Sequence, residues 1–258
     1  VSWRLLFNDA DNLGFNLYKT EGNKKIKCNP KPITEITSFI DDQIDSTKSY
    51  RYELTSVLNG KESAVLSSFQ LKSNAKRYLS IPLQTPKGYT ANDASVGDLD
   101  GDGEYEIILH QTGRARDNSQ AGITDPPIFQ AYKMDGTLLW TINLGKNIRD
   151  GAHYTQFMVY DLDGDGKAEI AMKTADGTID GIGKVIGDST KDYRNKDGKI
   201  LEGPEFFTIF NGLTGAAMAT TNYLPARGDI GAWGGRGGNG GNDKSGNRVD
   251  RFLACVAY

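Results

Sequence analysis

Apolar and polar positions alternate along this chain at the spacing of β-strands. Val1-Ser2-Trp3-Arg4-Leu5-Leu6 and Phe15-Asn16-Leu17-Tyr18 alternate on either side of a turn at Asp9-Ala10-Asp11-Asn12, the period of a half-buried strand. From Ser49 to Val57 the apolar positions Tyr50, Tyr52 and Leu54 again fall on every second residue. Asn59-Gly60 then supplies a two-residue hairpin turn, and Ser63-Ala64-Val65-Leu66-Ser67 begins the return strand. Later, Ile128-Phe129-Gln130-Ala131-Tyr132-Lys133 turns through Met134-Asp135-Gly136 into Thr137-Leu138-Leu139-Trp140. Phe206-Phe207-Thr208-Ile209-Phe210 turns in the same way through Asn211-Gly212 and Thr214-Gly215 into Ala216-Ala217-Met218. The pattern predicts an all-β protein.

One polar stretch interrupts the strands twice. Asp98-Leu99-Asp100-Gly101-Asp102-Gly103-Glu104-Tyr105-Glu106 returns as Asp161-Leu162-Asp163-Gly164-Asp165-Gly166-Lys167-Ala168-Glu169, an offset of 161 − 98 = 63 residues. Each copy carries carboxylates at positions 1, 3 and 5, glycine at 6 and glutamate at 9. Clustered carboxylates repel one another unless a cation sits among them. A tight loop with alternate oxygen donors and one carbonyl suits Ca²⁺. The predicted ligands are Asp98, Asp100, Asp102, Glu104 and Glu106 in the first loop, and Asp161, Asp163, Asp165, Lys167 and Glu169 in the second. The first half matches an EF-hand loop, but the acid at position 9 instead of 12 departs from it. Ser95-Val96-Gly97 with Ile107-Ile108-Leu109, and Met158-Val159-Tyr160 with Ile170-Ala171-Met172, bracket the loops as strands. Such ions are expected to stabilise the fold rather than perform chemistry.

Two hairpins per repeat make a four-stranded unit, the build of a β-propeller blade. The 63-residue spacing exceeds an ordinary blade of about 40–50 residues because long insertions separate the hairpins. A third unit is expected to start at Arg248-Val249-Asp250-Arg251-Phe252, so the chain reads as truncated. Thr85-Pro86-Lys87-Gly88 marks a junction. Residues 1–84 are assigned to a β-sandwich whose early Trp3 and later Tyr50-Arg51-Tyr52 resemble the fibronectin type III layout. Residues 85–258 are assigned to a partial propeller of two blades and the start of a third.

Charge excludes one partner class. Thirty basic against 33 acidic residues leave a net of −3, without the Lys/Arg run or stripe of a nucleic-acid surface. No apolar run approaches the roughly 18 residues of a membrane span. Cys28 and Cys255 are read as two buried thiols rather than a disulfide. Calcium loops favour a secreted, periplasmic or cell-surface setting, where the ion is abundant.

Longer stretches carry a resemblance. Asn92-Asp93-Ala94-Ser95-Val96-Gly97-Asp98, Gly151-Ala152-His153-Tyr154-Thr155-Gln156-Phe157, Met172-Lys173-Thr174-Ala175-Asp176-Gly177-Thr178 and Gly246-Asn247-Arg248-Val249-Asp250-Arg251-Phe252 are similar to the polysaccharide lyase family 11 rhamnogalacturonan lyases. Phe39-Ile40-Asp41-Asp42 and Tyr52-Glu53-Leu54-Thr55-Ser56-Val57-Leu58 fit that family's N-terminal sandwich. The resemblance implies an eight-bladed, calcium-loaded propeller that is a monomer when full length. The implied reaction is β-elimination on the rhamnose–galacturonate backbone of pectin (rhamnogalacturonan I). That chemistry needs a base for the C5 proton of galacturonate and a cation beside its carboxylate.

Asn92 matches a position where the family contacts sugar. No catalytic residue is assigned, since the resemblance places proton abstraction in later blades. Lys173, equivalent by the repeat to His110, is the remaining candidate base here, against an ordinary ion-paired lysine at a strand end. His110 and His153 are read as satisfied histidines, and Arg227, Arg248 and Arg251 as salt-bridged to acids such as Asp229 and Asp250. The glycine-rich run from Gly231 to Gly246, with Trp233 and Arg236, reads as a loop that either covers the sugar cleft or is surface slack. One departure is plain: where many relatives have Lys-Trp-Asp, this chain has His110-Gln111-Thr112, so the substrate contact of that Asp does not carry over. Two alternatives stay open. One is a non-catalytic, calcium-stabilised glycan-binding or adhesion propeller. The other is a hydrolase, which would need a carboxylate pair about 5–9.5 Å apart.

Overall fold

The computed structural model describes residues 1–5, 9–76, 78–151, 155–228, 230 and 255–256. Among these there is no α-helix; three antiparallel sheets account for the regular structure. Contacts divide the chain into two compact units, Val1–Ser80 and Ile81–Tyr258.

The first unit is built on a four-stranded sheet of order β2-β1-β3-β4, comprising β1 (Gly14–Glu21), β2 (Lys24–Lys27), β3 (Tyr50–Leu58) and β4 (Lys61–Leu71). Antiparallel register sets Leu17 opposite Leu54 and Lys19 opposite Tyr52. The period-2 rule therefore puts Phe15, Leu17, Tyr50, Tyr52 and Leu54 on one face, and all five are buried. Asn59 and Gly60 join β3 to β4 with φ of 51° and 76°, both positive as a type I′ turn demands.

The opening segment differs from expectation. Val1–Leu5 does not form a strand; Ser2 makes one isolated bridge to Ser38, and Trp3 packs against the buried cluster. The layer over the buried face includes irregular chain tied by single hydrogen bonds, such as Phe39 N–H to Val1 O at 2.8 Å. Pro30 and Pro32 lack the N–H donors a ladder needs. In their neighbourhood the buried Asn29 amide supplies bonds to the carbonyls of Phe15 (3.1 Å) and Lys31 (2.7 Å).

The second unit holds two sheets. The first repeat contributes β5 (Thr90–Gly97), β6 (Glu106–Thr112), β7 (Ile128–Tyr132) and β8 (Leu138–Asn143). The second contributes β9 (Phe157–Tyr160), β10 (Glu169–Thr174), β13 (Phe206–Phe210) and β14 (Ala217–Asn222), in the order β14-β13-β10-β9. The insertion between β10 and β13 carries two short strands, β11 (Thr178–Ile179) and β12 (Val185–Ile186). They add to the outer edge of the first sheet, through Ile179 opposite Asn143, and make it six-stranded.

The two sheets share one core of Leu99, Ile108, Phe129, Trp140, Ile142, Ile170, Met172 and Phe210, among others. Two contacts fix their separation. Trp140 donates its indole N–H to the Gly212 carbonyl at 2.7 Å. Gly97 and Gly212 sit where a Cβ would collide, the former with Val159 and Ala168, the latter with the Ala168 carbonyl and Leu99. Gly212→Ala must therefore push backbone apart, and overpacking of this kind costs about 3 kcal/mol. The expected result is a melting temperature several degrees lower with the far-ultraviolet spectrum retained; an unchanged melt would show that the contact is not close.

Candidate metal centre

The two polar loops fold alike, residue for residue. In the first, Asp98 accepts the Gly101 N–H (Oδ1, 2.7 Å) and the Gly103 N–H (Oδ2, 2.8 Å). Asp100 accepts Asp102 N–H, Asp102 accepts Glu104 N–H, and Glu106 reaches back to Leu99 N–H at 2.9 Å. In the second, Asp161 accepts Gly164 N–H (2.7 Å) and Gly166 N–H (2.9 Å), and Glu169 accepts Leu162 N–H at 2.8 Å. Local Asx-type bonds of this sort are encoded by aspartate at alternate positions. The turn also requires φ of 82° and 87° at Gly101 and Gly103, and 79° and 89° at Gly164 and Gly166, which glycine adopts without strain.

This wiring gathers carboxylates. One oxygen each from Asp98, Asp100 and Glu106 lies within 4.8 Å of the others, and Asp161, Asp163 and Glu169 do the same. The predicted donors at positions 1, 3 and 9 are thus brought together. The carboxylates of Asp102 and Asp165 are not in either group, each accepting the amide two residues on; nor are the side chains of Glu104 and Lys167. Glu106 and Glu169 are raised above the usual carboxylate range. Burial is the main cause, opposed by the Leu99 and Leu162 amides and reinforced by the neighbouring aspartates. A buried acid beside like charges is what a bound cation relieves.

A cation of the chain's own already reaches the first group. Lys133 Nζ lies 2.8 Å from Asp100 Oδ2 and 3.9 Å from Glu106 Oε1, and its bond holds Asp100 below the usual range. Sequence reading missed this residue, because it lies a hairpin away from the loop.

Asn92, on β5, donates its side-chain amide to Thr112 Oγ1 at 3.0 Å, at an exposed edge. Lys173 is ion-paired to Glu205 at 3.3 Å, and Arg227 meets the same carboxylate at 2.9 Å. Cys28 is half-buried and Cys255 exposed, so the expectation of two buried thiols fails at Cys255; both are free. His153, Asp229, Trp233, Arg236, Arg248, Asp250 and Arg251 lie outside the described residues.

His110 is 2 % exposed and stacks on Phe129 at 4.9 Å; burial drives its pKa down to about 4. Its Nε2 lies 3.7 Å from Asp150 Oδ1, too far for a hydrogen bond. Asp150 is fully buried, and among the described residues neither carboxylate oxygen has a partner within hydrogen-bonding geometry. Burial raises its pKa to about 7, although the Gly151 and Gly113 amides partly oppose this. Burial thus disfavours the charged form of both groups. Nearby, Arg149 donates to the carbonyls of Gly122 and Gln120, both at 2.9 Å, and to that of Gly198, joining two insertions.

Comparison with known proteins places the chain. Residues 78–258 match the family model of the rhamnogalacturonan lyase family 11 C-terminal domain, and residues 1–71 match that of the rhamnogalacturonan I lyase beta-sheet domain. The chain is 51% identical to rhamnogalacturonan endolyase YesW of Bacillus subtilis (strain 168) and 49% identical to rhamnogalacturonan exolyase YesX of the same organism, each over 269 aligned residues. All of the chain is covered in both matches, but it spans only 41% of the length of either relative. The structure of exotype YesX superposes with a TM-score of 0.80 at 48% identity, covering 98% of this chain and 41% of that one. A Bacillus licheniformis rhamnogalacturonan lyase superposes at 0.79 with 53% identity, covering 97% and 42%.

Proposed function

The chain belongs to rhamnogalacturonan lyase family 11, and from that membership we propose that it forms part of a lyase that cleaves the rhamnose–galacturonate backbone of pectic rhamnogalacturonan I by β-elimination. The observation that carries the proposal is identity near one half, across the whole chain, to both an endolyase and an exolyase. The two sheets of the second unit are the first blades of a propeller in this reading, and the first unit is its fibronectin-like sandwich, divided near residues 84 and 85. The protein acts outside the cytoplasm, in the secreted, periplasmic or cell-surface setting that supplies calcium, and is a monomer at full length.

Asp98, Asp100 and Glu106, with Asp161, Asp163 and Glu169, are the residues that would hold calcium, joined by main-chain oxygen. The ion supplies the charge that lets three acids share one turn. What the chain's own residues do is bind and hold. Asn92 presents its amide at the exposed end of β5, hydrogen-bonded to Thr112, as the sugar contact. Lys173 is engaged in an ion pair with Glu205, the ordinary pairing of a lysine at a strand end, and is not assigned as the base. No side chain here is assigned proton abstraction.

The test is a chimera in which this chain replaces the matching 41% of the Bacillus subtilis endolyase. On rhamnogalacturonan I, rising ultraviolet absorbance from the unsaturated uronate is expected, and Asn92→Ala should raise KM about tenfold, the loss of one good hydrogen bond to substrate. A folded chimera that binds the polymer without any absorbance change would refute the lyase reading in favour of a glycan-binding propeller. New reducing ends without absorbance would favour a hydrolase.

A further inference from the structure

The two loops are built alike, yet among the described residues only the first has an ammonium ion-paired to its acids. Register makes the comparison strict. Ile107 on β6 faces Tyr132 on β7, and the equivalent Ile170 on β10 faces Phe210 on β13. The next residue along is Lys133 in the first repeat and Asn211 in the second. Lys133 turns onto Asp100 and Glu106. Asn211 is neutral and spends its carbonyl oxygen on its own turn, accepting the Thr214 N–H at 3.0 Å and the Thr214 hydroxyl at 2.8 Å. Among the described residues no lysine or arginine comes within ion-pair distance of Asp161, Asp163 or Glu169.

We propose that Lys133 is a tethered competitor that weakens divalent-cation binding at the first loop, so that the second loop fills first. The inference rests on the reading of both loops as calcium sites. A divalent ion entering the Asp98–Asp100–Glu106 group meets a positive charge 2.8 Å from one ligand oxygen. Either the ammonium swings out and forfeits its bond to Asp100, or it stays and repels the ion. Both routes lower affinity. Lys133 is partly exposed, at 37% of its side-chain surface, so it can leave into water and the site remains fillable. The first loop thereby responds to calcium at higher concentration than the second, which gives one unit two thresholds from one repeated motif. The competitor is also invisible in the repeat itself: the hairpin residues are offset by 211 − 133 = 78 positions, not 63.

The test is calorimetric titration of the full 258-residue chain with calcium chloride alone. Asp161→Asn with Asp163→Asn isolates the first loop; Asp98→Asn with Asp100→Asn isolates the second. The second loop is expected to bind more tightly. Lys133→Asn, which installs the residue of the other repeat, should tighten the isolated first loop about tenfold, as removal of a like charge at this range does, and leave the second loop unchanged. Lys133→Met serves the same purpose if the asparagine variant does not fold. An unchanged or weakened first loop in the lysine variants, with the second loop still binding, overturns this inference alone, since it would make Lys133 an aid that orients Asp100. No binding at either loop would overturn the calcium reading with it.

Discussion

Stripping divalent cations from the chain with a chelator is expected to lower its melting temperature by about 10 °C or more. Each loop brings three carboxylate oxygens within 4.8 Å of one another, and an ion that binds only the folded loop at a hundred times its Kd contributes about 2.7 kcal/mol. Two loops at about 2–4 °C per kcal/mol for a domain of this size give the shift. The stabilisation acts where the sheets meet: Glu106 and Glu169 begin β6 and β10, and Ala168 of the second loop donates its N–H to Asp98 O at 2.7 Å. Calcium added back should restore the original melt. A chain carrying Asp98→Asn and Asp161→Asn should melt at one temperature whether or not chelator is present. Equal melts for the unaltered protein with and without chelator would contradict the assignment.

The second large effect is an inversion of pH dependence at the His110–Asp150 pair. Asp150 has its pKa raised on folding, to about 7 from 3.8. Its contribution to stability is complete below the unfolded value and is lost as pH rises through about 7. His110 is depressed from 6.5 to about 4, so its contribution is complete above 6.5 and is lost as pH falls through about 4. Between those limits the folded and unfolded chains hold the same proton, on Asp150 when folded and on His110 when unfolded. The two slopes cancel. Asp150→Asn leaves the histidine alone, so stability relative to wild type should fall by about 3 kcal/mol from pH 6.5 to pH 4, at about 1.4 kcal/mol per pKa unit. His110→Phe, which keeps a ring against Phe129, leaves the acid alone, and stability relative to wild type should instead fall by about 3 kcal/mol from pH 4 to pH 6.5. Urea unfolding across that range reads both. Difference curves that slope the same way for the two variants would contradict the opposed shifts of Asp150 and His110.

These two sites differ in how far sequence reveals them. The loops are local objects: alternate aspartates write their own turn, and glycine at positions 4 and 6 supplies the positive φ, so nine residues suffice to read them. The strands around them are equally local, since alternation at Tyr50, Tyr52 and Leu54 dictates which face of β3 is buried. Failures lie where distance along the chain decides the outcome. Val1–Leu5 alternates like a strand, but meets irregular chain at Ser38 rather than a ladder. Thr178–Ile179 and Val185–Ile186 look like insertion, yet the first pairs with β8 through Ile179 opposite Asn143, the second pairs with the first, and together they widen the first sheet. Lys133 looks like an ordinary hairpin lysine until the register carries it onto Asp100. Asp150, in Arg149-Asp150-Gly151, carries no sign that its carboxylate will be buried; only the fold closes His110, Thr124 and Gly113 around it. Family resemblance reached further than spacing did, because it spans nearly the whole chain, and the matches to both family models agree with it.

The claim on which the site depends is that both carboxylate groups hold calcium, and anomalous diffraction from crystals grown in calcium chloride tests it most directly. Two peaks are predicted, each roughly 2.3–2.6 Å from carboxylate oxygens: one among Asp98, Asp100 and Glu106, the other among Asp161, Asp163 and Glu169. Ordered loops with no anomalous peak at either position would contradict it.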